Sequence, residues 1–172
     1  FPERNKIINW SKTDTTHSDT LSLISYNIGY LSGMTNNLPV ERSDSLYAEH
    51  ERLFHEFMQR EKPDFLAVQE IDYYSKRSLY HNQFDSIAMW GGFPNGAMAI
   101  NWDKTYVPFP YFPISTQFGT VVSGQAVFSK FKMDSTTSLV FPFPPENPFW
   151  YNQFYLVVFT IANHENQCEL YL

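Results

Sequence analysis

Two apolar runs with one amphipathic segment between them constrain this chain more than any other feature. "LSLISYNIG", from Leu21 to Gly29, carries β-formers at successive positions, so both of its faces are apolar. Such a run suits a strand buried on both sides, and Gly29 ends it. "FLAVQE", residues 65 to 70, is a second run of the same kind. Between the two, Leu46, His50, Leu53, Phe54, Phe57 and Met58 recur at helical spacing, with Ser43 or Ser45 as the cap and Pro63 just past the end. Strand, helix and strand in that order form a unit whose strands are parallel or neighbouring. Their C-terminal ends then meet at one rim of the sheet, where α/β folds place their sites.

Two polar residues stand at that rim, Asn27 and Glu70. A carboxylate at the end of an apolar strand costs several kcal/mol, roughly, if it is buried with nothing to compensate it. Either the strand surfaces at Glu70, or the sheet presents Glu70 to a positive charge. An amide oxygen and a carboxylate oxygen are hard ligands of the kind Mg²⁺ or Mn²⁺ accepts, with waters and a substrate phosphate in the remaining positions. His164 ends a third apolar run, "VVFTIANH", where an imidazole can hold a phosphoryl oxygen or move a proton.

The rest of the chain reads as one unit of 172 residues without repeat or linker. Residues 1–20 form a polar tail or edge segment. Residues 76–89 carry helical spacing, and strands are expected at 97–102, 124–130 and 154–163. From Tyr106 to Phe118 and from Phe141 to Tyr155, aromatics alternate with Pro, which cannot donate to a strand ladder, so both stretches are loops. Loops this aromatic pack on the body of the domain, with a substrate wall as the alternative. Asp72, Tyr73, Tyr74 and Arg77 are expected in a surface loop, and Asp103 and Lys104 in a solvated turn. The net charge of −6 disfavours a broad grip on nucleic acid through basic surface, although a bound metal can supply positive charge locally. The single cysteine, Cys168, excludes an internal disulfide. No apolar run reaches the roughly 18 residues of a membrane span. Opening on Phe1-Pro2 instead of Met reads as a trimmed N-terminus, as in an exported chain that has lost its signal segment.

"LISYNIG", then "KPDFLAVQEID", "GQAVFSK" and a strand ending "ANH" together resemble the endonuclease/exonuclease/phosphatase family, which includes DNase I-like nucleases, AP endonucleases, neutral sphingomyelinases and inositol polyphosphate phosphatases. The resemblance covers about residues 21–131 and extends to 154–164. It implies an α/β fold, a four-layer α-β-β-α sandwich of the DNase I-like type, and Mg²⁺-dependent phosphoester hydrolysis on a phosphorylated substrate such as a nucleic acid or a phospholipid headgroup. By the same resemblance Asn27 matches the family's active-site Asn, Glu70 its metal-binding Glu, and His164 the His near the scissile phosphate. The family's Gly-Asp-x-Asn and Ser-Asp-His motifs do not occur here, and Val122 stands where AP endonucleases carry Tyr. Residues 21–172 therefore read as the front portion of a single such domain. The reading from another class is a catalytically incomplete fragment or degenerate copy that serves as a binding or structural domain. With strands 21–28 and 154–162 apolar on both sides, the 172-residue chain should self-associate and lack hydrolase activity on its own. Light scattering beside a phosphodiesterase assay checks this, and a monomer that turns over substrate would contradict it.

Overall fold

A computed structural model describes residues 5–13, 20–33, 35, 38–40, 42–140, 155–161 and 168–171. The chain forms β1 (Asn5–Asn9), β2 (Leu23–Asn27), α1 (Asp44–Glu61), β3 (Phe65–Ser75), α2 (Gln83–Gly91), β4 (Asn95–Val107), β5 (Gly119–Ser129), β6 (Met133–Val140), β7 (Tyr155–Ile161) and β8 (Cys168–Tyr171). Two sheets result, one of five strands in the order β1-β4-β5-β3-β2 and one of three in the order β6-β7-β8.

The expected strand–helix–strand unit is present. β2 and β3 are parallel, from Leu23 opposite Phe65 to Asn27 opposite Gln69. Ser43 caps α1 by accepting from the Leu46 amide, and Lys62 ends it in the left-handed conformation before Pro63. Tyr47, Phe54 and Met58 of α1 and Phe84, Ile87 and Ala88 of α2 bury themselves against Leu66, Val68, Ile71 and Phe128 of the sheet. The opposite face is built of small residues, Ala67, Ala97, Ala99 and Val127, onto which Met133 of β6 packs. Small side chains there let a second layer approach closely.

Four expectations from the sequence change. β2 is not buried on both sides. It is the sheet's edge, and Leu23 and Tyr26 are exposed. Ile24 still packs on the core beneath α1, and Tyr26 stacks on Phe54 and meets Phe57 edge-on, but among the described residues no strand pairs with β2's outer side. β3 does not end at Glu70 but continues to Ser75. The helix expected at 76–89 begins only at Gln83, because Leu79 and Tyr80 take left-handed backbone angles and Asn82 recaps the chain by accepting from the Asp85 amide. Asp103 and Lys104 lie inside β4, paired with Val122 and Val121, because β4 and β5 form a hairpin longer than the apolar run alone marks. β1 pairs along β4 as an edge element. β6 and β8 have no apolar alternation to announce them. The aromatic stretch 141–154 lies outside the described residues.

The start of the parallel pair is fastened by Asp64. Ser22 donates through both its backbone N–H and its hydroxyl to Asp64 Oδ2 at 2.8 Å, and Lys130 Nζ stands 3.5 Å from Oδ1. Partial burial works to raise the Asp64 carboxyl, but the Ser22 donors and Lys130 outweigh it and hold the group below its ordinary range. A carboxyl depressed in the folded state adds stability that is complete above its unfolded pKa, about 3.9, and is lost as pH falls through the lower folded value. Asp64→Asn should therefore cost about 1 kcal/mol at neutral pH. The gap to the parent should close below about pH 3.9 in urea melts, and a gap independent of pH would contradict the assignment.

Candidate functional site

The rim is built by a distortion of the sheet. β3 pairs with β5 as Gln69 opposite Gln125 and then as Ile71 opposite Gly124, so Glu70 is an extra residue between two rungs, at φ 55°. A bulge of this kind re-aims one side chain and tightens the local twist. The left-handed backbone at a residue with a long side chain costs about 1–3 kcal/mol and persists only where its surroundings enforce it. Gly124 is part of that enforcement: a Cβ there would sit 1.9 Å from the Ala99 carbonyl oxygen, so no other residue fits between β3 and β4 at this level.

Asn27 is the last residue of β2. Its rung partner is Gln69, and the Ile28 N–H donates to the Gln69 carbonyl at 3.1 Å, so Asn27 stands one residue short of Glu70 on the adjacent strand, about 4.8 Å across. Asn27 Oδ1 accepts from the Gly29 N–H at 3.0 Å, which turns the chain sharply. Gly29, Tyr30 and Leu31 follow with φ of 53°, 56° and 52°, three successive left-handed residues. The amide oxygen keeps a second lone pair after that bond. The structure thus brings Asn27 and Glu70 to one rim, as the reading of the sequence required. His164 lies outside the described residues.

Behind the rim is a buried polar network that sequence reasoning assigned to the surface. Asp72 and Arg77 are both buried, their side chains 0% and 1% exposed. Arg77 Nη2 donates to Asp72 Oδ1 at 2.8 Å and Nε to Oδ2 at 3.0 Å, a two-pronged pair. Burial works against the Arg77 charge, but Asp72 more than restores it and the guanidinium is held above its ordinary range. The same guanidinium lies 3.4 Å from the centre of the Tyr30 ring and is flanked by Trp102 and Phe118. Gln83 closes the circuit: Nε2 donates to the Tyr30 carbonyl at 2.6 Å, and Oε1 accepts from the Asp72 N–H at 2.8 Å. The Tyr47 hydroxyl donates to the Arg77 carbonyl. Two strained segments, 29–31 behind Asn27 and 70–72 at Glu70, are therefore clamped to each other. Burial pushes the Tyr30 phenol up to about 12, against the pull of Arg77, and the charges of Glu70 and Asp72 add to the rise. The signal in the sequence was an acid and a base five apart, Asp72 and Arg77, inside an otherwise apolar and aromatic stretch.

The Glu70 carboxylate is half-buried, and among the described residues no hydrogen bond or ion pair takes it up. A carboxylate without a partner beside an amide oxygen suits a hard divalent cation such as Mg²⁺ or Mn²⁺ that keeps several waters. Among the described residues no three His, Cys, Asp or Glu side chains converge on one point, so the rim offers a sparse ligand set and not a closed cage. At the same end of the sheet the β4–β5 connection folds Phe109 and Phe118 onto Val107 and Val121, as packing predicted. Tyr111 and Phe112 at its tip stay 67% and 80% exposed.

Comparison with known proteins agrees with this architecture. No curated protein sequence matches the chain. Among solved structures, an endonuclease/exonuclease/phosphatase from Beutenbergia cavernae DSM 12333 superposes with a TM-score of 0.57 at 14% identity, over 88% of this chain and 37% of that one. The human nocturnin catalytic domain with bound sulfate anion gives a TM-score of 0.50 at 15% identity, over 99% of this chain and 53% of that one. ANGEL2, described as a 2',3'-cyclic phosphatase, gives 0.50 at 16% identity, over 92% and 39%. The chain thus spans 37% to 53% of the length of these structures, and the likeness is one of DNase I-like α/β fold. The model of the Endonuclease/Exonuclease/phosphatase family matches residues 24–166, a span that contains both rim strands, the bulge and the clamp, and the chain belongs to that family.

Proposed function

We propose that this chain carries the metal-binding face of a phosphoester hydrolase, acting on a phosphodiester in the manner of a nuclease. The observation that carries the reading is Glu70 itself, a partly buried residue whose carboxylate has no partner among the described residues, held in a left-handed bulge beside Asn27. Strain maintained by the surroundings at a charged rim residue points to function. Glu70 supplies the anionic ligand for Mg²⁺ or Mn²⁺, and Asn27 a neutral oxygen that orients the cation or a phosphoryl group. A divalent cation held there neutralises charge on the phosphoryl oxygens and the leaving group. His164 is the proposed proton carrier or phosphoryl-oxygen donor. The substrate is a phosphorylated molecule, with nucleic acid and a phospholipid headgroup as the two sources. The family membership supports phosphoester chemistry, and two fold relatives carry phosphate-type chemistry in their descriptions, one a bound sulfate and one a 2',3'-cyclic phosphatase activity.

Glu70→Gln keeps the shape and removes the charge. In the intact domain, metal-dependent hydrolysis of a generic phosphodiester should fall by orders of magnitude with the thermal midpoint preserved, and hydrolysis at the parental rate with the same Mg²⁺ requirement would remove Glu70 from the site. The clamp makes a separate prediction. Arg77→Ala should cost about 3–5 kcal/mol by leaving Asp72 buried and unpaired. The milder Arg77→Lys should fold yet weaken Mn²⁺ binding about tenfold, read by calorimetry on the folded protein, because the fork that fixes the Glu70 and Asn27 segments is lost. Unchanged Mn²⁺ affinity in Arg77→Lys would make the clamp purely structural.

A further inference from the structure

A second guanidinium stands at the clamp without the compensation that Arg77 enjoys. Arg42 precedes the α1 cap and is half-buried, yet among the described residues its buried Nε and Nη2 have no hydrogen-bond partner. Its guanidinium lies 5.2 Å from the centre of the Phe118 ring, the same ring that flanks Arg77 at 4.9 Å. The carboxylate in whose field Arg42 stands is Asp72, and both Asp72 oxygens already accept from Arg77, with Ser75 Oγ donating as well. Asp72 thus has its oxygens taken by Arg77 and Ser75. Burial pulls the Arg42 pKa down, as it does for a cation stripped of water. Leaving such donors empty is costly, and an oxyanion is the ligand that satisfies them, because its oxygens match the planar fork of the guanidinium.

Arg42 is also close to the site. Phe118 lies against both Arg42 and Arg77, and Arg77 lies 3.4 Å from the centre of the ring of Tyr30, three residues after Asn27. We infer that Arg42 is an anion-recognition residue, binding a phosphate group of the substrate at the clamp behind the Glu70–Asn27 pair, with Phe118 holding its guanidinium in place. The choice of phosphate among oxyanions rests on the phosphoester reading, whereas the existence of the anion site does not.

The experiment reads phosphate binding without metal. In EDTA, with sodium chloride matching ionic strength, inorganic phosphate is titrated into the purified chain and the thermal midpoint and binding isotherm are followed for the parent, Arg42→Lys, Arg42→Met and Glu70→Gln. The parent should show saturable binding and a rising midpoint. Arg42→Met should weaken binding about tenfold or more, Arg42→Lys should weaken it less, and Glu70→Gln should retain it. Without phosphate, Arg42→Met should melt at or above the parental midpoint, because it removes an uncompensated charge while its stem still packs on Phe118. The proposal is overturned if the parent shows no phosphate-specific shift, if Arg42→Met binds like the parent, or if Arg42→Met melts well below the parent in phosphate-free buffer, which would make Arg42 a structural residue. Phosphate binding that survives in the parent while Glu70→Gln in the intact domain hydrolyses normally would leave the anion site standing and remove the metal reading. The converse pair of results would do the reverse.

Discussion

The Asp72–Arg77 pair is the interaction on which the rim depends. A buried ion pair adds little net stability compared with an apolar pair of the same volume, so its value here lies in direction. Asp72 follows the Glu70 bulge by two residues, and Arg77 lies against Tyr30, which follows Asn27 by three. Gln83 adds two hydrogen bonds from α2 to the same two segments. A planar fork, an aromatic face and an amide each accept only a narrow range of geometries. Together they remove the freedom that would let the strained turns relax to ordinary strand or loop angles.

That strain has a place in the sequence as well as in space. The left-handed residues Gly29, Tyr30 and Leu31 follow Asn27 closely, Glu70 is itself left-handed, and Gly124 fills the gap opposite the bulge. Tyr, Leu and Glu are poor choices for such angles on local grounds. Their presence means that tertiary packing decides the backbone there, and such conflicts between local preference and global fold concentrate at functional sites.

This contrast explains what was legible in the chain. Apolar runs and helical spacing located β2, α1 and β3 and put Asn27 and Glu70 at one rim, because burial of a parallel unit writes a strong hydrophobic pattern. The bulge has no such signature. Glu70 looks like a strand end, since a polar residue after an apolar run is what a strand end also looks like. Asp72 and Arg77 read as surface because each is polar by itself, and only their mutual compensation lets them enter the core. β6 was missed because "MDSTTSLV" lacks the alternation of a half-buried strand.

The place of β2 in the sheet has a consequence for how the site comes together. β4 and β5 are joined directly by the 108–118 loop and β3 docks on β5, whereas β2 reaches β3 only across the whole of α1 and, among the described residues, holds on by one side. An edge strand with a single neighbour is where amide hydrogens exchange fastest through local opening. When β2 frays, Asn27 leaves Glu70 while the bulge stays intact in the sheet interior. Assembly of the pair is therefore the last and most reversible step of folding this rim, and any cation or anion that bridges it gains affinity by closing a sheet edge.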